Sequence, residues 1–196
     1  MRVPQGAVWI GSDHPFDLHE AYLDFRRDVE LASIPQRAVL TLTADSRYRL
    51  WINGTHVARG PSRCWPHAQQ MDAHDITSRL RPGRNAIAVQ VYSPGYSHFA
   101  YLHRGTCGLL AWLEAGGETL LVTDTSWRVQ RDRSWKQEVR RVSIYGSGVE
   151  RRNMALASDW TEAGLDEGNW KAPRGVAPAE SPLWSHLQLR DVPLLE

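Results

Sequence analysis

Residues 37–61, RAVLTLTADSRYRLWINGTHVARGP, limit what the chain can fold into more than any other stretch. Over residues 39–43 and again over 48–52, large apolar or β-branched side chains alternate with smaller or polar ones, the two-residue period of a half-buried strand. Asn53-Gly54 breaks the second run. Both central residues of a type I′ turn need positive φ, which Asn followed by Gly adopts at low cost. Residues 48–52 are therefore expected to fold back on residues 55–59 as a tight antiparallel hairpin.

The remainder of the 196 residues follows the same logic of short apolar runs separated by turn residues. Trp9-Ile10 and residues 22–25 bracket a polar loop containing Pro15. Residues 25–31 read as a strand with Phe25, Arg27, Val29 and Leu31 on one face, where Arg27 either snorkels at an edge or is paired. Residues 60–70 carry Gly60, Pro61 and Pro66 and form an aperiodic loop. Asp75 is placed to cap a helical turn at 77–80, and Pro82-Gly83 suits a type II turn before a strand at 86–92. A second irregular stretch, 93–105, is rich in aromatics and histidines. Runs at 108–114 and 119–123, joined by Gly116-Gly117, read as another hairpin, residues 124–129 as one more strand, and 131–150 as less regular.

Trp51, Trp112 and Trp127 fall within strand patterns and are expected in the core or in inter-sheet packing, whereas Trp9, Trp160, Trp170 and Trp184 read as edge packing. Prolines 173, 178, 182 and 193, with no strand pattern in the final residues, make 173–196 a linker toward a further domain. The expected fold class is all-β: an antiparallel two-sheet β-sandwich over residues 1–172. A chain of this length buries a core without metal or disulfide support.

Several function classes lose support on composition. The formal net charge is +1, so the chain has no global basic field of the kind nucleic-acid binders use. The pairs Arg26-Arg27, Arg140-Arg141 and Arg151-Arg152 are expected on solvated strand faces or loops. No run is apolar enough to span a membrane, and residues 1–11 lack a basic region followed by an apolar secretion core, so the chain as given is expected to be cytoplasmic or cut from a longer protein. Cys64 and Cys107 are expected to be free thiols, and Asn53-Gly54-Thr55 matches a glycosylation acceptor that the hairpin turn explains better. The histidines at 56, 67, 74, 98 and 103 are scattered, with no HExxH or CxxC pattern, and no metal ligand is assigned. Hydrolysing a glycoside takes two carboxylates about 5–9.5 Å apart. Asp72 and Asp75 are read as turn and capping residues, Asp166 and Glu167 as turn residues facing water, and no catalytic residue is assigned.

The run ADSRYRLWINGTHVARGPSR, then QQMDAHDITSRLRPGRNAIAVQV, GLLAWLE, TDTSWRV and the LDEGNW element resemble the N-terminal β-sandwich of bacterial α-L-rhamnosidases of glycoside hydrolase family 78. RDVPLLE is similar to the segment leading into their next domain. A weaker form of the pattern occurs in the sugar-binding jelly rolls of family 2 β-galactosidases and glucuronidases. The resemblance implies a galactose-binding-like jelly roll that is itself non-catalytic and docks on the (α/α)6 catalytic domain of the same parent protein. It also implies the option of a structural calcium ion held by Asp72 or Asp75.

Carbohydrate contact, including an autonomous module for rhamnose-containing glycans, is the functional alternative to a pure scaffold. Sugar rings pair apolar C–H faces with polar rims, so a site combines exposed aromatics with hydrogen-bonding side chains. Arg59, Arg63, Trp65 and His67 from the first irregular stretch, and Tyr96, His98 and Tyr101 from the second, have those types. They form one surface if both loops emerge at the same edge. Otherwise Trp65 and Tyr96 cover the end of the sandwich or pack on the catalytic domain.

Overall fold

A computed structural model describes residues 2–14 and 19–193. Twelve strands and three single-turn 3-10 helices make up the regular structure of these residues. In chain order the strands are β1 (Val8–Gly11), β2 (Ala21–Leu31), β3 (Ala38–Asp45), β4 (Arg47–Ile52), β5 (Thr55–Gly60), β6 (Gln69–Asp75), β7 (Gly83–Ser93), β8 (Gly108–Ala115), β9 (Glu118–Val122), β10 (Arg128–Arg131), β11 (Arg174–Pro178) and β12 (Leu187–Leu189). The first sheet runs β11-β1-β8-β3-β6-β12, with β9 also paired to β8; the second runs β10-β2-β7-β4-β5. This is the two-sheet β-sandwich expected from the sequence. Every pairing is antiparallel except β12 with β6. The polar loop expected around Pro15 lies outside the described residues.

Local chemistry places the turns where the sequence puts them. Asn53 and Gly54 have φ of 48° and 76°, and Ile52 pairs with Thr55 across the turn. Gly116 and Gly117 also have positive φ, and Ala115 pairs with Glu118 beyond them. Asp75 Oδ1 accepts from the backbone N of Thr77 at 3.0 Å and from its hydroxyl at 2.6 Å, setting the 3-10 turn Thr77–Arg79. Residues 124–127 form a turn rather than a strand, because Asp124 Oδ1 accepts from Ser126 N at 2.7 Å, and β10 begins only at Arg128.

The inner faces meet in one aliphatic core, with Leu40, Leu42, Leu109 and Leu113 opposed to Phe25, Leu50, Val89 and Val91. The alternate residues of β8, Leu110 and Trp112, face away from this core yet are equally buried. That two-sided burial is why GLLAWLE reads as a continuous apolar run instead of an alternating one. The outer cover is Trp9, stacked on Trp184 with ring centroids 3.9 Å apart, joined by Met71. The outer face of the second sheet is covered in the same way: Trp160 and Trp170 lie over Ala88, and Trp135 stacks on Tyr22 at 4.2 Å.

Several expectations need correction. Trp9, Trp160, Trp170 and Trp184 are at most 9% exposed and close the outer faces, whereas Trp51, expected in the core or in inter-sheet packing, is half-buried beside Trp160. Residues 173–193 are not a detached linker. β11 pairs with β1, β12 with β6, and Trp184 is fully buried, so the sandwich extends to at least Leu189. Proline spacing hid this because β11 and β12 are edge strands, where a missing N–H is tolerated.

Arg26 is not solvated. It is fully buried under Trp160, donating to the Trp160 carbonyl at 2.9 Å and to Asp28 at 2.7 Å. Glu167, expected to face water, lies 2.9 Å from Arg26 Nε as an ion pair and 3.6 Å from Arg128. A buried guanidinium without such partners is strongly unfavourable. Arg27 is paired, as one of its two expected readings had it, through the Ser126 carbonyl at 2.7 Å.

Two stability changes follow from this packing. Trp184→Ala is expected to lower the unfolding free energy in urea by about 3–5 kcal/mol; a loss below about 1 kcal/mol would show that residues 173–193 are an appendage. Removing one partner of a buried ion pair costs about 3–5 kcal/mol, and because Glu167 retains some solvent contact, Glu167→Ala should fall at or below the lower end of that range.

Candidate functional site

At one edge of the sandwich β5 leads into residues 61–68 and β7 into residues 94–107, residues 143–148 arrive from the irregular stretch after β10, and the β3–β4 corner at 45–47 lies among them. Between them lies a cavity of about 340 Å³, lined among others by Asp45, Arg47, Arg63, Gln69, His98 and Tyr101. An adjoining hollow of about 320 Å³ shares Arg63, His98 and Tyr101 and adds Trp65, Phe99 and Leu102. The two irregular stretches therefore do emerge together, the condition set by the sequence for a single surface.

Four of the seven candidates converge here: Arg63, Trp65, His98 and Tyr101. Trp65 is 60% exposed at the rim. His67 is exposed with its ring nearly parallel to Trp65 at 6.3 Å, but it lines neither hollow. Tyr96 is turned inward, its hydroxyl donating to Glu20 and its ring covered by Arg141 at 4.4 Å. Arg59 lies on β5 and faces a different cavity. Sequence reasoning missed Asp45, Arg47, Gln69 and the Tyr145-Gly146-Ser147 segment. Asp45 looks like an ordinary polar residue ending an alternating strand, and 143–148 has no periodicity to place it.

Asp45 is 3% exposed and held on both oxygens: the Tyr101 hydroxyl donates to Oδ1, and the Trp184 indole N–H to Oδ2 at 2.8 Å. Burial outweighs these donors and raises its carboxyl from the ordinary 3.8 to about 6. The Asp45 carboxylate in turn adds to the effect of burial in pushing the Tyr101 phenol upward. Burial, followed by Arg141 and Arg47, holds His98 below the usual histidine range, so it is neutral at pH 7 and both donates and accepts. Both cysteines are free thiols, as expected, and burial raises them, Cys107 to about 12. The lining thus offers hydrogen-bonding groups of both senses, two guanidiniums and an aromatic rim, with Asp45 as the one carboxylic acid among the described residues.

Asp72 is not a turn residue. It is buried on β6, where it accepts from the Tyr48 hydroxyl and forms an ion pair with Arg190, while Tyr48 also lies 3.0 Å from His74 Nε2. Gly60 passes so close that a Cβ there would lie 2.2 Å from Asp72 Oδ2. A calcium ion takes about six to eight oxygens. Asp72 is already bound to a cation, Asp75 is committed to Thr77, and among the described residues no three His, Cys, Asp or Glu side chains cluster to hold a metal. This donor set does not fit a calcium site.

Because the unfolded Asp45 ionises near 3.8 and the folded one near 6, the folded state binds the proton more tightly. Its stabilising contribution is complete below about pH 4 and lost as pH rises through about 6. Asp45→Asn, followed by thermal melts between pH 4 and 7, is expected to remove that part of the decline. An unchanged pH profile would show that Asp45 does not titrate there.

The family model described as the α-L-rhamnosidase N-terminal domain matches residues 33–189. A family 78 rhamnosidase of Bacillus sp. GL1 superposes with a TM-score of 0.91 at 39% identity, over 98% of this chain and 20% of that one. An α-L-rhamnosidase of Aspergillus terreus shares the fold with a TM-score of 0.70 at 23% identity, over 88% of this chain and 21% of that one. An α-L-rhamnosidase of Streptomyces avermitilis is 28% identical over 156 residues, 71% of this chain but 14% of that protein's length. The chain thus spans about a seventh of the Streptomyces protein and a fifth of the two solved ones. With the matched region covering most of the sandwich and the fold shared throughout, this chain belongs to the α-L-rhamnosidase N-terminal domain family.

Proposed function

We propose that the chain is a non-catalytic module of an α-L-rhamnosidase, that it docks on the catalytic domain of the same protein through its loop edge, and that it flanks the substrate entrance there. The observation that supports this reading is the apolar rim of that edge. Phe99, Tyr145, Trp65 and Leu102 are 74, 62, 60 and 42% exposed, with the Phe99 and Tyr145 rings 5.3 Å apart edge to face. Ile144, 71% exposed, continues the rim, and its carbonyl accepts from Phe99 N at 3.4 Å. Exposed apolar surface gathered in one place, and built from large aromatics, marks an interaction face.

The non-catalytic part rests on the acids. Among the described residues the loop cavity is lined by one carboxylic acid, whereas glycoside hydrolysis uses two facing each other across the sugar. Asp24 and Asp132 do lie close together, bridged by Gln90 Nε2 at 2.8 and 3.2 Å, but they are 1% and 8% exposed. Burial and the Asp132 charge raise the Asp24 carboxyl well above its ordinary value. A second reading, an autonomous carbohydrate-binding module, is favoured by the exposed Trp65 beside Arg63, His98 and Tyr101.

Hydrogen exchange separates these readings. In the longer parent protein, amides of residues 97–104 and 141–149 are expected to exchange more slowly than in the 196-residue chain; equal rates would remove the docking reading. Calorimetry of the isolated chain with rhamnose and a rhamnosyl glycan is expected to give no heat, and heat abolished by Trp65→Ala would establish the carbohydrate module instead. Turnover of an aryl rhamnoside by the purified chain would overturn the non-catalytic assignment.

A further inference from the structure

Beside the loop edge, the outer face of the second sheet holds a larger cavity of about 560 Å³, lined among the described residues by four arginines, 47, 49, 59 and 190, against a single acid, Glu150. Strand register accounts for the crowding. Arg47 and Arg49 occupy alternate positions of β4, and Arg49 stands directly opposite Arg59 of β5. Like charges directly opposite in a ladder are destabilising. This edge carries that cost with little local relief.

Arg49 reaches Glu150 only at 3.9 Å, and Arg47 is met by the Ser147 hydroxyl at 3.2 Å and the Tyr92 ring at 4.6 Å. Arg190 is engaged by Asp72, whereas Arg59 is exposed and has no ion pair or hydrogen bond among the described residues. The positive field is felt nearby: burial first, then Arg49 and Arg59, hold His56 below its usual range. Guanidiniums with free N–H groups in one concavity match the geometry of carboxylate or sulfate, and the volume is that of a small-molecule site rather than of a bare inorganic anion.

We propose that this cavity binds an anionic sugar unit, with its carboxylate or sulfate held between Arg49 and Arg59 and its ring hydroxyls facing Arg47 and Glu150. The site goes beyond the docking role, and its central pair, Arg49 and Arg59, lies off the apolar rim. It takes an acidic glycan because the chain belongs to a family of domains from glycan-cleaving enzymes and because the opening accommodates a ring attached to the charge.

The test is calorimetric titration of the chain with digalacturonate, rhamnose, inorganic sulfate and hexaglutamate. Digalacturonate is expected to bind, more weakly as salt rises, and rhamnose is expected not to bind. Arg59→Gln is expected to lower the affinity about tenfold without lowering the melting temperature, since Arg59 makes no hydrogen bond or ion pair among the described residues and its loss relieves the repulsion with Arg49, while Trp65→Ala leaves binding intact. Sulfate binding as tightly as digalacturonate would reduce the site to a nonspecific anion trap and overturn the proposal. So would preference for hexaglutamate, which would identify a protein segment as the occupant, or the absence of heat with all four ligands.

Discussion

Both sheets of this sandwich are packed on both faces, and most of the structure follows from that constraint. A two-sheet domain normally buries its inner faces and leaves the outer ones to water. Here β8 is apolar on both sides, and Ala88 on the opposite sheet is buried beneath two indoles. Sheets built this way need covers, which the chain supplies from its least regular parts: the segment before β1, residues 132–170, and the stretch from β11 to β12. What sequence patterning presents as a sandwich with loops and a tail is a four-layered arrangement whose outer layers are mostly irregular backbone.

The covers bring polar groups inside with them, and the charged ones are paired, although the Trp135 indole N–H finds no hydrogen-bond partner among the described residues. Trp160 sits where Arg26 projects, so its own carbonyl and Asp28 take hydrogen bonds from the guanidinium while Glu167 balances its charge. Trp184 plays two parts, stacking on Trp9 and donating its indole N–H to Asp45. Asp45 also receives Tyr101, which ties the outer cover of the first sheet to the wall of the loop cavity through one carboxylate. The shape of that cavity thus depends on Trp184, far away in sequence from either loop wall, 61–68 or 94–107.

Legibility in the sequence tracked the locality of the cause. Asn53-Gly54, Gly116-Gly117 and Asp75-Ile76-Thr77 state their turns within a few residues, and the alternation in β2, β4 and β7 states which side faces the core. The roles of Arg26, Asp72 and Trp184 depend on Trp160, Arg190 and Trp9, which are 134, 118 and 175 positions removed, and no local pattern encodes them. The site shows the same split. The two irregular stretches rich in aromatics and histidines share one edge, but Tyr96 turns inward and Arg59 faces another cavity, which only the backbone course decides.

The tryptophan covers also give the domain an optical asymmetry. Of nine indoles, seven are buried, Trp51 is half-buried, and Trp65 alone stands well into solvent at the rim of the loop cavity. A collisional quencher such as iodide therefore extinguishes chiefly one emitter, and the quenchable fraction of the fluorescence reads directly whether anything lies against that rim.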